Sequence, residues 1–299
     1  MDRVTGNSLG SSILGSNQKT LARLANYQQQ LATNKKLNQV SDDPVAAKHS
    51  LRYRAEGLQV GKYLDNIDKA TSFMSATDQA LSDMTSLMDE AKSLAVQGAN
   101  GSQDASSRKT LANSVDSLLS RMIDLSNTVH DGRFLFGGTT TVQTTPPFGR
   151  NATDTGVDYR GNLDSFSVAV GPNSPVQVNT DGYTLFKGGN DVFKTLVDLR
   201  TALNQNEPAT VNDLITKVDQ AQQQVNSTQG GMGGRLQRLE LARSQLEGTK
   251  VYLGELVSDA EDADMAEVIT QMKLTQTALE AGLQSGAKVL QTTLLDFLR

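Results

Sequence analysis

The chain carries only two histidines, His49 and His130, and neither has a metal-ligand or triad spacing around it. His49 is expected on the surface of a helix and His130 beside a turn, both without a catalytic role. Cysteine is absent, which excludes disulfides, thiolate nucleophiles and cysteine metal sites. Asp154, Asp158 and Asp164 lie in a polar run with the oxygen alternation of a calcium loop. Counted from Asp154, however, the positions that an EF-hand needs as glycine and glutamate hold Tyr159 and Ser165. A β-turn with solvated acids is the better reading. Asp259, Glu261, Asp262, Asp264 and Glu267 gather where a helix should start, and free amides with the helix dipole favour acids there without any cation. Gly230-Gly231-Met232-Gly233-Gly234 follows no strand and lacks the lysine and hydroxyl of a phosphate-cradling loop. No catalytic residue, no cofactor and no metal site is therefore assigned.

Composition narrows the class further. A formal net charge of -5 over 299 residues is small, and no Lys/Arg cluster with interleaved aromatics occurs. Nucleic acid is not an expected partner. No run of 18 apolar residues exists, and the first residues lead into Ser, Asn and Gln rather than an apolar signal core. The expectation is a soluble chain with no membrane partner which, if it leaves the cytoplasm, keeps its N-terminus uncleaved.

The two ends hold the strongest pattern. Leu14, Leu21, Leu24, Gln28 and Leu31 keep a seven-residue beat in residues 1–31. Met265, Val268, Met272, Leu279, Leu283, Gly286, Leu290 and Phe297 keep one in residues 265–299. A stripe this narrow asks for a partner helix rather than a broad globular face. Beyond Thr270 only Lys273, Glu280, Lys288, Asp296 and Arg299 are ionisable, so small neutral residues fill the rest of the last helix and permit close packing on several sides. The ends are expected to pair with each other and with further copies. Their assembly interface is read as Leu14, Leu21, Leu24, Leu31, Met272, Leu279, Leu283, Leu290, Leu294 and Phe297.

Between the ends, Ser41-Asp42-Asp43-Pro44 supplies capping side chains followed by proline at a first helical position, so Asp42, Asp43 and Pro44 form a helix-start turn. No proline interrupts the next stretch to about Gln97, a helix of roughly 80 Å at 1.5 Å per residue. After a turn at residues 98–102, a third helix runs antiparallel to it through Leu111, Val115, Leu119 and Met122 to about Val129. Short β-like runs follow at residues 133–136, 166–170, 176–178 and 183–186. Helical spacing returns at Asp191, and Pro208 separates that helix from another beginning near Val211. Interior glycines cost roughly 1 kcal/mol each against alanine, so a kink or loop is expected at residues 230–234. The fold class is mainly α with a small β insert: an elongated rod of long antiparallel helices formed by both termini. Residues 1–43 and 258–299 read as a terminal paired-helix domain, 44–136 and 190–257 as an inner helical bundle, and 137–189 as the β-rich insert.

Several segments are similar to a known family. Asn38-Gln39-Val40-Ser41-Asp42-Asp43-Pro44-Val45-Ala46-Ala47, Asn66-Ile67-Asp68-Lys69-Ala70 and Gly132-Arg133-Phe134-Leu135-Phe136-Gly137-Gly138 resemble the N-terminal half of the flagellin family. Gly234-Arg235-Leu236-Gln237-Arg238-Leu239-Glu240 and Leu294-Leu295-Asp296-Phe297-Leu298 resemble its carboxyl end. Pro44 after two aspartates, where flagellins usually carry alanine, brings the likeness nearest to the branch at the junction of hook and filament. The resemblance implies a secreted structural subunit of the bacterial flagellum and no enzyme. It implies export unfolded through the flagellar type III channel, with a cytoplasmic chaperone on the C-terminal helix. It further implies a homo-oligomeric ring between a hook-side junction protein and filament flagellin, templating flagellin polymerisation. The alternatives are filament flagellin itself or a secreted binding or enzymatic protein acting through the β insert.

Overall fold

The structure, a computed structural model, describes residues 6–139 and 145–297, and side chains of the terminal helices from residue 11 and up to residue 288. The expected seam residues Leu290, Leu294 and Phe297 lie outside the described side chains, and residues 140–144 of the expected insert lie outside the described residues. The helices are α1 (Gly6–Thr33), α2 (Pro44–Ala99), α3 (Ala105–Ser126), α4 (Gly182–Lys187), α5 (Val192–Asn204), α6 (Pro208–Glu261) and α7 (Met265–Phe297). The strands are β1 (Val129–His130), β2 (Arg133–Phe134), β3 (Phe148–Arg150), β4 (Val157–Tyr159), β5 (Ser167–Ala169) and β6 (Pro175–Gln177). They pair antiparallel as β1 with β2, β3 with β4 and β5 with β6, in separate ladders. The chain is mainly α with a small β-containing insert. Among the described residues no helix is long and apolar enough to cross a membrane.

The chain divides into two compact units, unit 1 (Met1–Gln59 with Thr249–Arg299) and unit 2 (Val60–Gly248), and α2 and α6 contribute residues to both. Unit 2 holds most of the core. Its parts of α2 and α6 run antiparallel, as the pairs Asp68 with Arg243, Thr85 with Asn226, Asp89 with Gln222 and Lys92 with Asp219 show. Met74, Leu81, Met84 and Met88 of α2 are fully buried, as are Leu119 and Met122 of α3. Arg108 ties the α2–α3 turn, donating to Gly98 O at 2.9 Å, to Asn100 O at 2.9 Å and to Asn206 Oδ1 at 2.5 Å. A buried guanidinium is tolerated there because these acceptors replace lost water.

The insert closes on an aromatic cluster. Phe148 and Phe186 pack with ring centroids 5.1 Å apart, Phe186 and Phe193 also at 5.1 Å, and Phe136 and Phe186 at 5.5 Å. Edge-to-face and tilted pairs of this kind add about 0.5–1.5 kcal/mol each beyond their buried area. Tyr159 joins them, donating to Asn162 O at 2.8 Å, and burial, with the Asp181 carboxylate second, pushes its hydroxyl up to about 12.

Three expectations are corrected. Residues 183–186 form helix α4, not a strand: Asp181 accepts from Tyr183 N at 2.9 Å and Thr184 N at 3.2 Å, capping a helix start that a run of alternating residues this short cannot reveal. Asp154 is not simply solvated, because its carboxylate accepts from Arg150 Nη1 at 3.0 Å and Arg200 Nη1 at 2.7 Å. Residues 230–234 are neither kink nor loop but the continuous interior of α6. Val225, Met232 and Leu239, seven residues apart in each step, are fully buried on one stripe through the glycines, and that packing outweighs local propensity.

Candidate assembly interface

Unit 1 is poor in core. Among its described residues only Ala47, Leu253 and Val268 are buried apolar side chains. Leu14 is 60% exposed, Leu21 59% and Leu283 56%, and Val45, Leu58 and Leu274 are exposed as well. Helices that leave more large apolar residues outside than inside have packing capacity left over.

Helices α1 and α7 lie antiparallel. Ala263 N donates to Asn34 O at 3.1 Å, Gly282 lies against Asn17, and Gly286 against Ile13, so numbers rise on one helix as they fall on the other. A Cβ on Gly286 would meet Ile13 Cγ2 at 3.2 Å, and one on Gly282 would overlap the Asn17 amide, so these glycines allow the helices their close approach. Leu24, Leu31, Met272 and Leu279 of the expected seam are half-buried, whereas Leu14, Leu21 and Leu283 remain in solvent.

The segment joining α1 to α2 is pinned at one carboxylate. Asn34 takes a left-handed φ of 57° that ends α1, a conformation asparagine tolerates better than most residues. Glu261 then receives Lys35 Nζ at 2.6 Å, Arg54 Nε at 2.7 Å and Arg54 Nη2 at 2.6 Å, and a close hydrogen bond from Ser50 Oγ. Its backbone oxygen accepts from Lys36 N at 2.7 Å and Leu37 N at 3.3 Å. The Arg54 guanidinium, followed by Lys35 and Ser50, overcomes burial and holds the Glu261 carboxyl down at about 2. Two hydrogen bonds from one guanidinium to one carboxylate make this pair geometrically specific.

The helix-start turn is built locally. Asp42 Oδ2 accepts from Asn38 N at 3.0 Å and Gln39 N at 2.8 Å, Asp43 Oδ1 accepts from Val45 N and Ala46 N at 2.9 Å each, and Pro44 is the first residue of α2. Of the acids expected around the last helix start, Asp264 does cap α7, accepting from Ala266 N at 2.9 Å and Glu267 N at 3.2 Å. Glu261 does not: it ends α6 and is an ion-pair centre. Sequence reasoning missed Lys35, Ser50 and Arg54. The one available signal was Ser50 and Arg54 standing four apart, hence on one helix face. Among the described residues no cluster of His, Cys, Asp or Glu could hold a metal.

The chain is similar to known proteins. The family model for the bacterial flagellin N-terminal helical region matches residues 4–141, and that for the bacterial flagellin C-terminal helical region matches residues 215–298. Flagellar hook-associated protein 3 of Escherichia coli (strain K12) is 27% identical over 161 residues, covering 54% of this chain and 49% of that protein, so the match spans about half of that relative. The protein of the same name in Salmonella typhimurium is 25% identical over 280 residues, covering 85% of this chain and 86% of that protein. The crystal structure of the flagellar junction protein FlgL from Legionella pneumophila shares the fold, with a TM-score of 0.61 at 17% identity over 72% of this chain and 100% of that one. With its helical regions before and after the insert both matched, the chain belongs to the flagellin family.

Proposed function

We propose that this flagellin-family chain is the structural subunit that joins hook to filament and templates the polymerisation of flagellin. The surface of unit 1 carries the reading: paired terminal helices leave Leu14, Leu21 and Leu283 in solvent, on a chain similar to a hook-associated protein along most of both lengths. Copies arranged in a closed ring rebury such leucines between subunits. In this reading the seam is completed by Leu24, Leu31, Met272, Leu279, Leu290, Leu294 and Phe297, and the turn at Asp42, Asp43 and Pro44 sets where α2 begins. The ring contacts a hook-side junction protein on one side and filament flagellin on the other. Export runs through the flagellar type III channel without cleavage, after a cytoplasmic chaperone has released α7, and the subunit works outside the cell. Labelling isolated flagella with antibody under the electron microscope tests this. A single band at the hook tip is expected; label along the whole filament would make the chain a filament flagellin, and label on neither would overturn both.

A further inference from the structure

In unit 2 a groove of about 880 Å³ lies between the β6–α4 segment and the glycine-rich stretch of α6. Three features of it are unaccounted for within the chain. Gly230, Gly231, Gly233 and Gly234 sit in a helix interior, where glycine is disfavoured against alanine. Yet a Cβ at any of them would meet nothing within 4 Å, so no neighbour among the described residues needs the space. Gly231 lines the groove. Arg235, one helical turn on, is half-buried there and, among the described residues, donates only long hydrogen bonds, at 3.4 Å to Gly231 O, 3.5 Å to Gln177 O and 3.3 Å to Asn179 O. Burial, and then the nearby Arg238, push its guanidinium downward, and among the described residues no carboxylate pairs with it. Thr180, also on the groove wall, is 7% exposed, and its buried hydroxyl has no hydrogen-bond partner among the described residues. Asp181, the acid that lines the same groove, is committed to capping α4.

We propose that this groove seats an acidic segment of a second copy of the chain, whose Asp or Glu carboxylate takes Arg235 while its backbone approaches over Gly231. A half-buried guanidinium without a counter-charge favours a carboxylate, which it binds in a bidentate fork. The groove is open and polar, unlike the enclosed apolar sites of small ligands, and suits a polypeptide. Acids outnumber bases 33 to 28 in the chain, so every copy brings spare carboxylates. Glycines over a contact surface let a partner backbone come close. The inference rests on the assembly reading above and adds where unit 2 takes part.

The test places a photo-crosslinking residue at the exposed rim position Ser227 of the full chain, in cells that build flagella. A crosslink to a second copy is expected, at a peptide containing Asp or Glu. Arg235→Gln should lower its yield about tenfold, which corresponds to about 1.4 kcal/mol, and Arg235→Lys should keep part of it. Thr180→Val, which removes an unpartnered hydroxyl, should leave the melting of the purified chain unchanged or raised while lowering the yield. Normal antibody labelling of flagella with no crosslink, a crosslink to a different protein, or a yield indifferent to Arg235→Gln would each overturn the proposal. A crosslink between copies in a protein that labels somewhere other than the hook tip would keep the groove and overturn the junction placement.

Discussion

Glu261 shows how a single side chain can organise a segment that has no core of its own. Its partners Lys35, Ser50 and Arg54 come from α1's end and from α2, more than 200 positions away in sequence. That distance is why the centre was invisible in the sequence, where Glu261 was one acid in a run of five. Asp42, Asp43 and Pro44 were legible for the opposite reason: their hydrogen bonds reach only two to four residues along the chain. The folded carboxyl sits at about 2 against an ordinary 4.5, so the unfolded chain binds the proton more readily. Its stabilisation is therefore fully present above about pH 4.5 and lost as pH falls through about 2. Glu261→Gln should lower the melting temperature near neutral pH, and the gap to the parent chain should shrink steadily on acidification through that window. Melts followed by circular dichroism read this directly. A gap that stays constant down to about pH 2 would mean the ion pairs contribute nothing to folding.

At the scale of elements, period decided what the sequence could reveal. The apolar spacing of α2, α3, α5 and α7 is long and regular, and their positions were read correctly. The short α4 was not, because four alternating residues fit a strand as well as one helical turn. In α6 the glycines argued locally for a break, and the buried stripe through Met232 overrode them. That override has a measurable corollary. Gly230 and Gly234 are exposed, helical and open around the missing Cβ, so alanine fits and restricts the unfolded chain. Gly230→Ala together with Gly234→Ala should raise the stability of the purified chain by about 1–2 kcal/mol in urea denaturation, from roughly 0.5–1 kcal/mol per site. Destabilisation instead would show that the α6 backbone there is not a plain helix.

Across the described residues, apolar burial and apolar exposure are divided unevenly: most of the buried core lies in unit 2, and most of the exposed large apolar side chains lie in unit 1. Fully buried Met, Leu and Phe residues fill unit 2, while unit 1 keeps Leu14, Leu21 and Leu283 in solvent. The seven-residue beat at both ends is the sequence signal for apolar residues in need of a partner helix there. Which seam residues meet the intramolecular partner and which stay free was not readable, since a repeat gives the stripe without its width. Leu24, Leu31, Met272 and Leu279 are half-buried within the chain, so truncating them would disturb both folding and assembly. Leu21 and Leu283 are cleaner probes. Each is already more than half exposed, so Leu21→Ala with Leu283→Ala should change the stability of the purified chain by no more than about 0.5 kcal/mol per site. If both are buried between subunits, each truncation instead costs roughly 2–5 kcal/mol at the contact. Every copy in a ring repeats that loss, so the double variant should be secreted normally yet release unpolymerised flagellin into the medium. Immunoblots of the medium and counts of filaments per cell measure the two halves of this outcome. A double variant that is secreted and still builds full filaments would remove Leu21 and Leu283 from the interface. One retained in the cytoplasm would place these leucines in export or chaperone binding instead.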